Sequence, residues 1–486
     1  MTPSADAQAK PSSAARIGLW LGPLWLLAVM ILPAPGGMSE DAWRCTGLAL
    51  WMATWWATEA IPIPATSLLP IVLVPALGLG KLDATTASYA NPIIFLFLGG
   101  FLIGIAMQRW NLHRRIALNV LLLVGQRPER QIAGFMLATG FLSMWVSNTA
   151  TTVMMLPIGI SVVGLLGTDQ DRAEVDRYAA ALLLAIAYAA SIGGIATLIG
   201  TPPNALLAAY LAKNHDIQVG FAQWMVIGLP VSVLMLLVAW WWLTRGGFRI
   251  KSGEGGRQAL TNELAAQGRI SRAEQRVAAV FVVTAAAWIL SPVITRYGVG
   301  WLSDTIIAIA AGITLFLLPS ADKAQARLLV WEDAKALPWG VLLLFGGGLA
   351  LADVIRNSGL ASWIAGQLAV FSALPLLLLA GAVVLVIVFL TELTSNTATA
   401  AAFLPLLGAL AMSTGVDPLL LTVPAAIAAS CAFMMPVATP PNAIVFATGQ
   451  LKIQTMMRAG LFLNIAATVI LTLVVTGLLQ AFWLTD

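Results

Sequence analysis

Residues Leu142–Pro157 read LSMWVSNTATTVMMLP, and residues Leu390–Pro405 read LTELTSNTATAAAFLP. The stretch Ser-Asn-Thr-Ala-Thr therefore occurs twice, at Ser147–Thr151 and at Ser395–Thr399, each time with Leu-Pro at the same distance behind it. Both copies interrupt an apolar run. A second copy of such a stretch in the second half of the chain indicates an internal repeat.

Two further pairs of motifs follow the same order in the two halves. Thr201-Pro-Pro-Asn-Ala205 recurs as Thr439-Pro-Pro-Asn-Ala443, and Phe97-Leu-Gly-Gly100 corresponds to Leu344-Phe-Gly-Gly347. The first half has extra residues between its Ser-Asn-Thr and Thr-Pro-Pro-Asn motifs, which we place in the charged run Thr168–Arg177. Three pairs in the same order predict that the chain consists of two structurally similar halves.

The composition is that of a protein embedded in a membrane. Of the 486 residues, 59% are hydrophobic and only 10% are charged, which is too few to cover the surface of a water-soluble protein. A spanning helix needs about 20 apolar residues, and Ile17–Leu32, Val277–Ile294 and Leu461–Leu479 are stretches of this kind. Ile17–Leu32 has no small-residue cleavage site behind it, so we interpret it as a helix and not as a signal peptide.

Basic residues predict the orientation of the chain. One arginine cluster lies within Arg109–Arg130 and a second basic cluster within Arg245–Arg276, and both should face the cytoplasm. This places the N-terminus in the cytoplasm, the C-terminus outside and about eleven spans between them, in a bacterial inner membrane. The segment after Gly348 matches the first cluster but carries only Arg356. Matching segments thus lie on opposite faces, which predicts the inverted repeats typical of secondary transporters.

These anchors divide the chain into four predicted segments. They are a cytoplasmic N-terminal tail (1–16), a first transmembrane half (17–251), a cytoplasmic linker (252–276) and a second transmembrane half (277–486). The linker is assigned from Ser252–Gly268, which is rich in glycine, glutamine and charge.

Each Ser-Asn-Thr motif lies at the tip of a predicted re-entrant hairpin, over Arg130–Gly167 and Ala361–Ser413. Serine, asparagine and threonine are preferred helix N-caps, and a break inside an apolar run is tolerated only within protein or beside a water-filled cavity. The helix after each tip points its positive dipole end at the membrane centre. Such a helix end is suited to binding an anion.

The Thr-Pro-Pro-Asn motifs predict two helices that are broken in the middle of the membrane. Proline cannot continue a helix, so backbone carbonyl groups are freed at each motif. Carbonyl, hydroxyl and amide oxygens are neutral ligands that suit an alkali cation. One tip combined with one break makes one cation pocket, so the repeat predicts two such pockets with a dianion between them.

Two acidic residues lie in apolar surroundings and therefore point to function or to buried structure. Glu59 is close to the end of a predicted span, where a buried structural hydrogen bond is at least as well supported as a functional role. Glu392 lies three residues before Ser395. It is expected to brace the hairpin tip or to shape the field around a cation.

The motifs resemble those of the divalent anion:sodium symporter family, which comprises dicarboxylate, citrate and sulfate carriers. The resemblance extends from about Trp43 to the end of the chain. It is carried by Trp56-Ala-Thr-Glu-Ala-Ile-Pro62, Leu142–Thr149, Gly200–Asn204, Leu344–Gly347 and Ala438–Asn442. It implies sodium-coupled di- or tricarboxylate transport by a homodimer, in which a mobile transport domain moves as an elevator against a scaffold.

The resemblance also implies the residues of the site. The set expected to bind substrate is Asn148, Thr149, Asn396, Thr397, Pro202 and Pro440. One sodium ion is expected at Ser143, Ser147, Asn148 and Gly200. The other is expected at Thr391, Thr394, Ser395, Asn396 and Ala438. Antiporter members of the family place basic side chains where sodium lies, whereas these positions are neutral here, which favours sodium as the co-transported ion.

The predicted function is therefore secondary active transport of a small dicarboxylate of the succinate, malate and fumarate class with sodium ions. A sodium-independent dicarboxylate or citrate/succinate antiporter and a sulfate carrier share the features above.

An intramembrane enzyme is disfavoured because His113 and His215 lie in predicted polar loops, and no metalloprotease, hydrolase or nucleotide-binding motif occurs. A channel is disfavoured because hairpins meeting at a closed midplane suit alternating access. The basic loops predict contact with anionic lipid and no nucleic-acid partner.

Overall fold

Long apolar segments fold as helices because a membrane offers no water to bond free backbone groups. The computed structural model describes residues 13–125, 127–164, 172–246, 257–321, 326–368 and 374–484. Within these ranges the regular secondary structure is helical, apart from an isolated bridge between Pro319 and Arg327. Eight of the described helices are long and apolar enough to cross a membrane, and five apolar helices are shorter. The prediction of an all-α polytopic membrane protein is confirmed.

The first half contains long spans, one hairpin and one interrupted helix. Its α-helices are Ser13–Ile31, Glu40–Thr58, Ile63–Thr66, Leu69–Ala76, Leu82–Ala87, Pro92–Arg109, Leu112–Val124, Pro128–Ser143, Asn148–Gly164, Arg172–Ile195, Pro202–Asn214 and Phe221–Trp241. We name Pro128–Ser143 with Asn148–Gly164 hairpin 1, and Arg172–Ile195 with Pro202–Asn214 broken helix 1.

The second half repeats this order. Its α-helices are Arg257–Ala266, Arg272–Arg296, Asp304–Leu317, Trp339–Asn357, Leu360–Leu368, Leu376–Leu390, Asn396–Thr414, Pro418–Ala428, Pro440–Phe446, Ile453–Ile470 and Thr476–Phe482. We name Leu376–Leu390 with Asn396–Thr414 hairpin 2, and Pro418–Ala428 with Pro440–Phe446 broken helix 2.

The hairpins turn at the predicted motifs and the broken helices part at the predicted prolines. The second arm of each hairpin begins at the asparagine of Ser-Asn-Thr, Asn148 or Asn396. The second part of each broken helix begins at a proline directly after a threonine in extended conformation (φ −144° at Thr201, −140° at Thr439). A residue before proline avoids helical geometry and proline fits the first helical position, so the motif itself determines where each helix restarts.

One predicted hairpin differs from the structure in its bounds, and the predicted linker contains helices. The segment Ala361–Ser413 was expected to form one hairpin, but Leu360–Leu368 is a separate helix, and hairpin 2 begins only after Pro375, which is the N-cap of Leu376–Leu390. The predicted linker 252–276 contains the helix Arg257–Ala266 and the start of Arg272–Arg296, while residues 252–256 lie outside the described residues. A capping box at Ser271 and Glu274 starts the latter helix.

The extra residues of the first half fall partly outside the structure described. Of the run Thr168–Arg177, residues 172–177 form the beginning of Arg172–Ile195, and residues 168–171 lie outside the described residues.

The two halves interlock at their hairpins. The second part of broken helix 1, Pro202–Asn214, packs on Asn396–Thr414 of hairpin 2. In the same way Pro440–Phe446 of broken helix 2 packs on Asn148–Gly164 of hairpin 1. Each break is therefore enclosed by protein from both halves, which satisfies the requirement for irregular backbone at membrane depth.

The repeated Gly-Gly motifs allow close approach of neighbouring helices. A Cβ added at Gly99 would lie 2.6 Å from the Cβ of Ala308, and one added at Gly347 would lie 2.8 Å from the Cα of Ser67. Both positions face backbone or short side chains that cannot move aside. The motifs therefore have a packing role in the helices that surround the hairpins.

Several arginines of the first basic cluster form ion pairs. Arg115 lies on the helix Leu112–Val124, and its Nε is 3.1 Å from Oε1 of the buried Glu274. Arg109 pairs with Asp333 and Arg114 with Glu263. The helix Leu112–Val124 is thus fixed against the segments on either side of Gly268, with the Gly268 carbonyl accepting a further bond from Arg115 (3.0 Å).

Candidate functional site

The two hairpin tips and the two breaks meet around a cavity of about 1340 Å³. The six residues predicted to bind substrate line this cavity: Asn148, Thr149, Asn396, Thr397, Pro202 and Pro440. The predicted sodium ligands Ser147, Gly200, Thr394, Ser395 and Ala438 line it as well. Ser143 and Thr391, also in the sodium sets, are buried. The fold thus brings the predicted site residues of both halves together, and their individual roles remain predictions.

A cluster of three oxygens joins hairpin 1 to broken helix 1. Oγ of Ser143 lies 2.6 Å from Oδ1 of Asn148 and 2.6 Å from the carbonyl oxygen of Ala190. A serine hydroxyl carries one proton, so it can donate to only one of these two acceptors. The cluster gathers three neutral oxygens at one point, and oxygens of this kind suit a bound alkali cation.

A second cluster with the same arrangement joins hairpin 2 to broken helix 2. Oγ1 of Thr391 lies 2.7 Å from Oδ1 of Asn396 and 2.9 Å from the carbonyl oxygen of Ala429. One hydroxyl proton again faces two acceptors. The repeat therefore produces two clusters of three neutral oxygens, at the two places where the sequence predicts cations.

The helices that follow the two tips direct their free ends at the cavity. Ser395 caps Asn396–Thr414 without a side-chain hydrogen bond, and Oγ of Ser147 accepts from the backbone N–H of Ala150 at 3.3 Å. The first N–H groups of a helix have no intrahelical partner. Among the described residues that line the cavity, Glu59 is the one with a charged side chain. An anion in this cavity would thus be bound by backbone and neutral side-chain donors.

The asparagines that end the two Thr-Pro-Pro-Asn motifs support the breaks. Nδ2 of Asn204 lies within hydrogen-bond distance of the carbonyls of Gly194, Ile195 and Thr197 (3.2, 3.3 and 2.8 Å). Nδ2 of Asn442 reaches the carbonyls of Ala432 (3.2 Å) and Met435 (3.1 Å). The breaks free backbone carbonyl groups, as predicted, and the buried amides of Asn204 and Asn442 donate hydrogen bonds to some of them. The sequence indicates this role of asparagine, because an asparagine follows Pro-Pro in both copies of the motif.

The two hairpin tips differ in exposure. Trp145 at the tip of hairpin 1 is 8% exposed and stacks with Phe221 and Trp288 (centroids 5.9 and 6.4 Å apart). Leu393 at the tip of hairpin 2 is 72% exposed and lines the cavity. The bulky side chain at the tip of hairpin 1 is therefore covered by aromatic side chains and that at the tip of hairpin 2 is exposed, while Ser147 and Thr149 of hairpin 1 are exposed and line the same cavity. Local sequence could not predict this stack because its members are distant in the chain.

Of the two acidic residues of the sequence analysis, Glu59 is exposed and Glu392 is buried. Glu59 ends the helix Glu40–Thr58 in left-handed conformation (φ 49°) and lines the cavity. Glu392 is buried and accepts hydrogen bonds from the backbone of broken helix 2. The expectation that Glu392 braces the hairpin tip agrees with these contacts.

One histidine is not where the sequence placed it. His113 was expected in a polar loop, but it lies on the amphipathic helix Leu112–Val124, where its buried ring has Nδ1 2.9 Å from the carbonyl oxygen of Met107. Burial lowers the pKa of His113 below its ordinary value. His215 directly follows Pro202–Asn214 as its C-cap, with Nε2 3.1 Å from the Tyr210 hydroxyl. Both rings are therefore engaged in local contacts away from the cavity-lining residues.

A helical membrane fold in which two hairpins and two broken helices surround one cavity is the architecture of a secondary transporter. The model of the family described as "sodium:sulfate symporter transmembrane region" matches residues 17–484, so the chain belongs to this family. The resemblance identified from the motifs is thereby confirmed, and the protein is a membrane transporter and not an enzyme.

Two relatives are similar over nearly their whole length. The sodium-dependent dicarboxylate transporter SdcS of Staphylococcus saprophyticus is 43% identical over 471 residues, which cover 94% of this chain and 90% of the relative. The protein of the same name from Staphylococcus aureus (strain USA300) is 42% identical over 485 residues, covering 97% and 93%.

Two solved structures share the fold at low sequence identity. The YdaH transporter of Alcanivorax borkumensis has a TM-score of 0.57 at 13% identity, covering 97% of this chain and 99% of that structure. MtrF of Neisseria gonorrhoeae has a TM-score of 0.55 at 13% identity, covering 94% of each chain. At this identity the likeness concerns the fold alone.

Proposed function

We propose that the protein carries a small dicarboxylate of the succinate, malate and fumarate class across the bacterial inner membrane together with sodium ions. The observation that carries the proposal is the pair of oxygen clusters, at Ser143 and at Thr391, which lie at equivalent positions of the two halves beside Asn148 and Asn396. The two staphylococcal relatives are named for transport of the same class of substrate with the same ion, which supports the proposal.

The arrangement also accounts for why anion and cation would travel together. A dianion taken from water into this cavity, where none of the described lining residues is basic, loses hydration that neutral donors replace only in part. Two cations bound directly behind the tips at Asn148 and Asn396 would offset its charge. We assign these two asparagines with Thr149 and Thr397 to the substrate, Pro202 and Pro440 to the same surface, and the two predicted ligand sets to sodium.

Uptake into proteoliposomes tests the proposal. Labelled succinate should accumulate when a sodium gradient is imposed and should not accumulate when potassium replaces sodium. Labelled citrate and sulfate measured in parallel identify the preferred anion. Uptake that needs succinate inside the vesicles but no sodium would replace the symporter with the antiporter alternative, and preferential uptake of sulfate would replace the substrate class.

Removing one hydroxyl from either cluster should weaken sodium binding. Ser143→Ala and Thr391→Val delete an oxygen with little change in volume. Each is expected to raise the sodium concentration for half-maximal uptake by about two- to tenfold, because a hydrogen-bond-like contact contributes about 0.5–1.5 kcal/mol. Thr314→Val is the matched control, since its hydroxyl donates only within its own helix, to Ala310 (2.8 Å). Wild-type sodium dependence in both cluster variants would contradict the assignment of sodium to these oxygens.

We further propose the division of the chain that the sequence suggested. Segments 17–251 and 277–486 are inverted halves, the N-terminus is cytoplasmic and the C-terminus is outside. The two hairpins and two broken helices form the moving part of an elevator, and two copies of the chain form a homodimer in contact with anionic lipid. The order of hairpin and broken helix, which is the same in both halves, supports this division.

The inverted orientation predicts opposite labelling of two equivalent positions. Asn119 on Leu112–Val124 and Gln367 on Leu360–Leu368 are both exposed polar residues on the short helix before a hairpin. In a background without Cys45 and Cys431, a membrane-impermeant thiol reagent added to intact cells should modify Gln367→Cys and spare Asn119→Cys. Permeabilised cells, in which both should react, provide the control. Equal labelling of both positions in intact cells would contradict the inverted repeat.

A further inference from the structure

Broken helix 2 is interrupted over a longer stretch than broken helix 1. The helices of broken helix 1 are separated by residues 196–201, and those of broken helix 2 by residues 429–439. The longer break leaves more backbone N–H groups without a helical partner. Such groups are costly at membrane depth unless another acceptor reaches them.

Glu392 supplies these acceptors. Its Oε1 accepts from the backbone N–H groups of Phe433 (2.7 Å) and Met434 (2.9 Å), and its Oε2 accepts from that of Met435 (2.8 Å). Nδ2 of Asn464 adds a bond to Oε1 at 2.7 Å. The side chain is 4% exposed. One carboxylate at the tip of hairpin 2 thus holds three consecutive residues of the break.

The residues held by Glu392 lie between the parts of the break that face the second oxygen cluster. Thr391, the neighbour of Glu392, contacts the carbonyl oxygen of Ala429 before these residues. Ala438, a predicted sodium ligand, follows them and lines the cavity. The position of Glu392 therefore determines how the break is placed against the hairpin tip, and with it the distances within the cluster.

The negative charge of Glu392 also favours a cation bound at the second oxygen cluster. Among the described residues, no lysine, arginine or histidine forms an ion pair with Glu392. A buried carboxylate without a basic partner is favoured by a cation bound nearby. At the equivalent position of hairpin 1 stands Met144, which has no charge and contributes its backbone carbonyl as acceptor for Thr197 Oγ1 (2.5 Å). The two cation pockets are therefore electrostatically unequal.

We propose that Glu392 is the positioning residue of the second cation site, and that it makes this site the stronger of the two for sodium. The inference rests on the proposed function in assuming that the cation is sodium. Glu392 acts through the backbone of residues 433–435 and through its charge, and it does not itself touch the substrate.

Binding of sodium alone tests this without any substrate. A ligand that binds only the folded protein raises its unfolding temperature with concentration, so thermal unfolding of the purified protein is followed in increasing sodium chloride with choline chloride as balance. Glu392→Gln has the same shape but lacks the charge and one acceptor. It is expected to raise the sodium concentration needed for half of the stabilisation by at least about tenfold, because hydrogen bonds to a charged group are about twice as strong as neutral ones.

Two companion variants make the outcome decisive. Met144→Gln places the same amide at the equivalent, partly buried tip position and should leave the sodium dependence within about threefold of wild type, because no side-chain hydrogen bond or charge is lost there. Glu392→Asp keeps the charge with a shorter reach, so its shift should lie between those of wild type and Glu392→Gln. If Glu392→Gln does not fold, Glu392→Asp alone tests the proposal.

Wild-type sodium dependence in folded Glu392→Gln, or in Glu392→Asp where only that variant folds, would overturn the proposal. So would an equal shift in Met144→Gln, because then any change at a tip would suffice. Succinate binding measured at saturating sodium completes the experiment. It should stay within about threefold of wild type in Glu392→Gln, since the change acts on the cation. Sodium stabilisation of wild type without succinate binding would contradict the proposed substrate but leave the role of Glu392 supported.

Discussion

Asn148→Asp or Asn396→Asp should weaken binding of a dicarboxylate by at least about tenfold in each folded variant. Asn148 and Asn396 each have Oδ1 within 2.7 Å of a hydroxyl, of Ser143 (2.6 Å) or Thr391 (2.7 Å). The amide NH₂ of the same side chain is thereby left as the donor. Aspartate keeps the size of the side chain but replaces this donor with an acceptor and a negative charge.

The size of the effect follows from the lost bond and the added repulsion. A hydrogen bond to a charged group contributes about 1.5–3 kcal/mol, and about 1.4 kcal/mol corresponds to a factor of ten in affinity. Folding should be preserved because aspartate suits the start of a helix as well as asparagine does. The added charge beside the oxygen clusters should strengthen sodium binding, which separates a loss of substrate affinity from a loss of cations.

The measurement compares succinate binding and thermal unfolding of the two variants at saturating sodium. Asn119→Asp is the control, because Asn119 is exposed and donates only to the carbonyl of Arg115 in its own helix (2.8 Å). Normal succinate affinity in both folded site variants would exclude the proposed substrate site.

The elements that build the cavity could be predicted because their causes are local in the sequence. Proline at 202 and 440 and the capping residues before Asn148 and Asn396 determine where helices begin, whatever surrounds them. The repeat then identified the two halves, so the prediction of the site rested on three pairs of motifs and not on one motif. The predicted substrate residues therefore meet in one cavity although they come from four elements.

The contacts that hold the site together could not be predicted in the same way. Glu392 bonds the backbone of residues 433–435, and backbone N–H groups leave no trace in a sequence. The stack of Trp145 on Phe221 and Trp288 joins residues from three distant segments. His113 looked like a loop residue because of the arginines beside it, and only the amphipathic helix around it explains its burial.

The two cation pockets also differ in packing at one repeat-equivalent pair, Gly200 and Ala438. A Cβ added at Gly200 would overlap the carbonyl oxygen of Gly194 and lie 2.8 Å from its Cα. Gly194 in turn lies against Asn148, whose Oδ1 would be 2.9 Å from a Cβ added there. Because backbone lies against backbone here, the added methyl group can be accommodated only if the break opens beside the first oxygen cluster. At the other pocket the equivalent residue, Ala438, already carries a Cβ.

Gly200→Ala is therefore expected to raise the sodium concentration for half-maximal succinate uptake by about ten- to a hundredfold, since overpacking costs about 1–3 kcal/mol. Ala438→Gly is the matched control. It removes a methyl group at the equivalent position and should change the same quantity by no more than about fivefold, from the backbone freedom of glycine, which costs about 0.5–1 kcal/mol. Both variants are compared with wild type in proteoliposomes over a sodium series, with thermal unfolding to establish that each is folded. Equal sodium dependence of folded Gly200→Ala and wild type would show that the first break tolerates a side chain, and the assignment of Gly200 to a cation pocket would then fail.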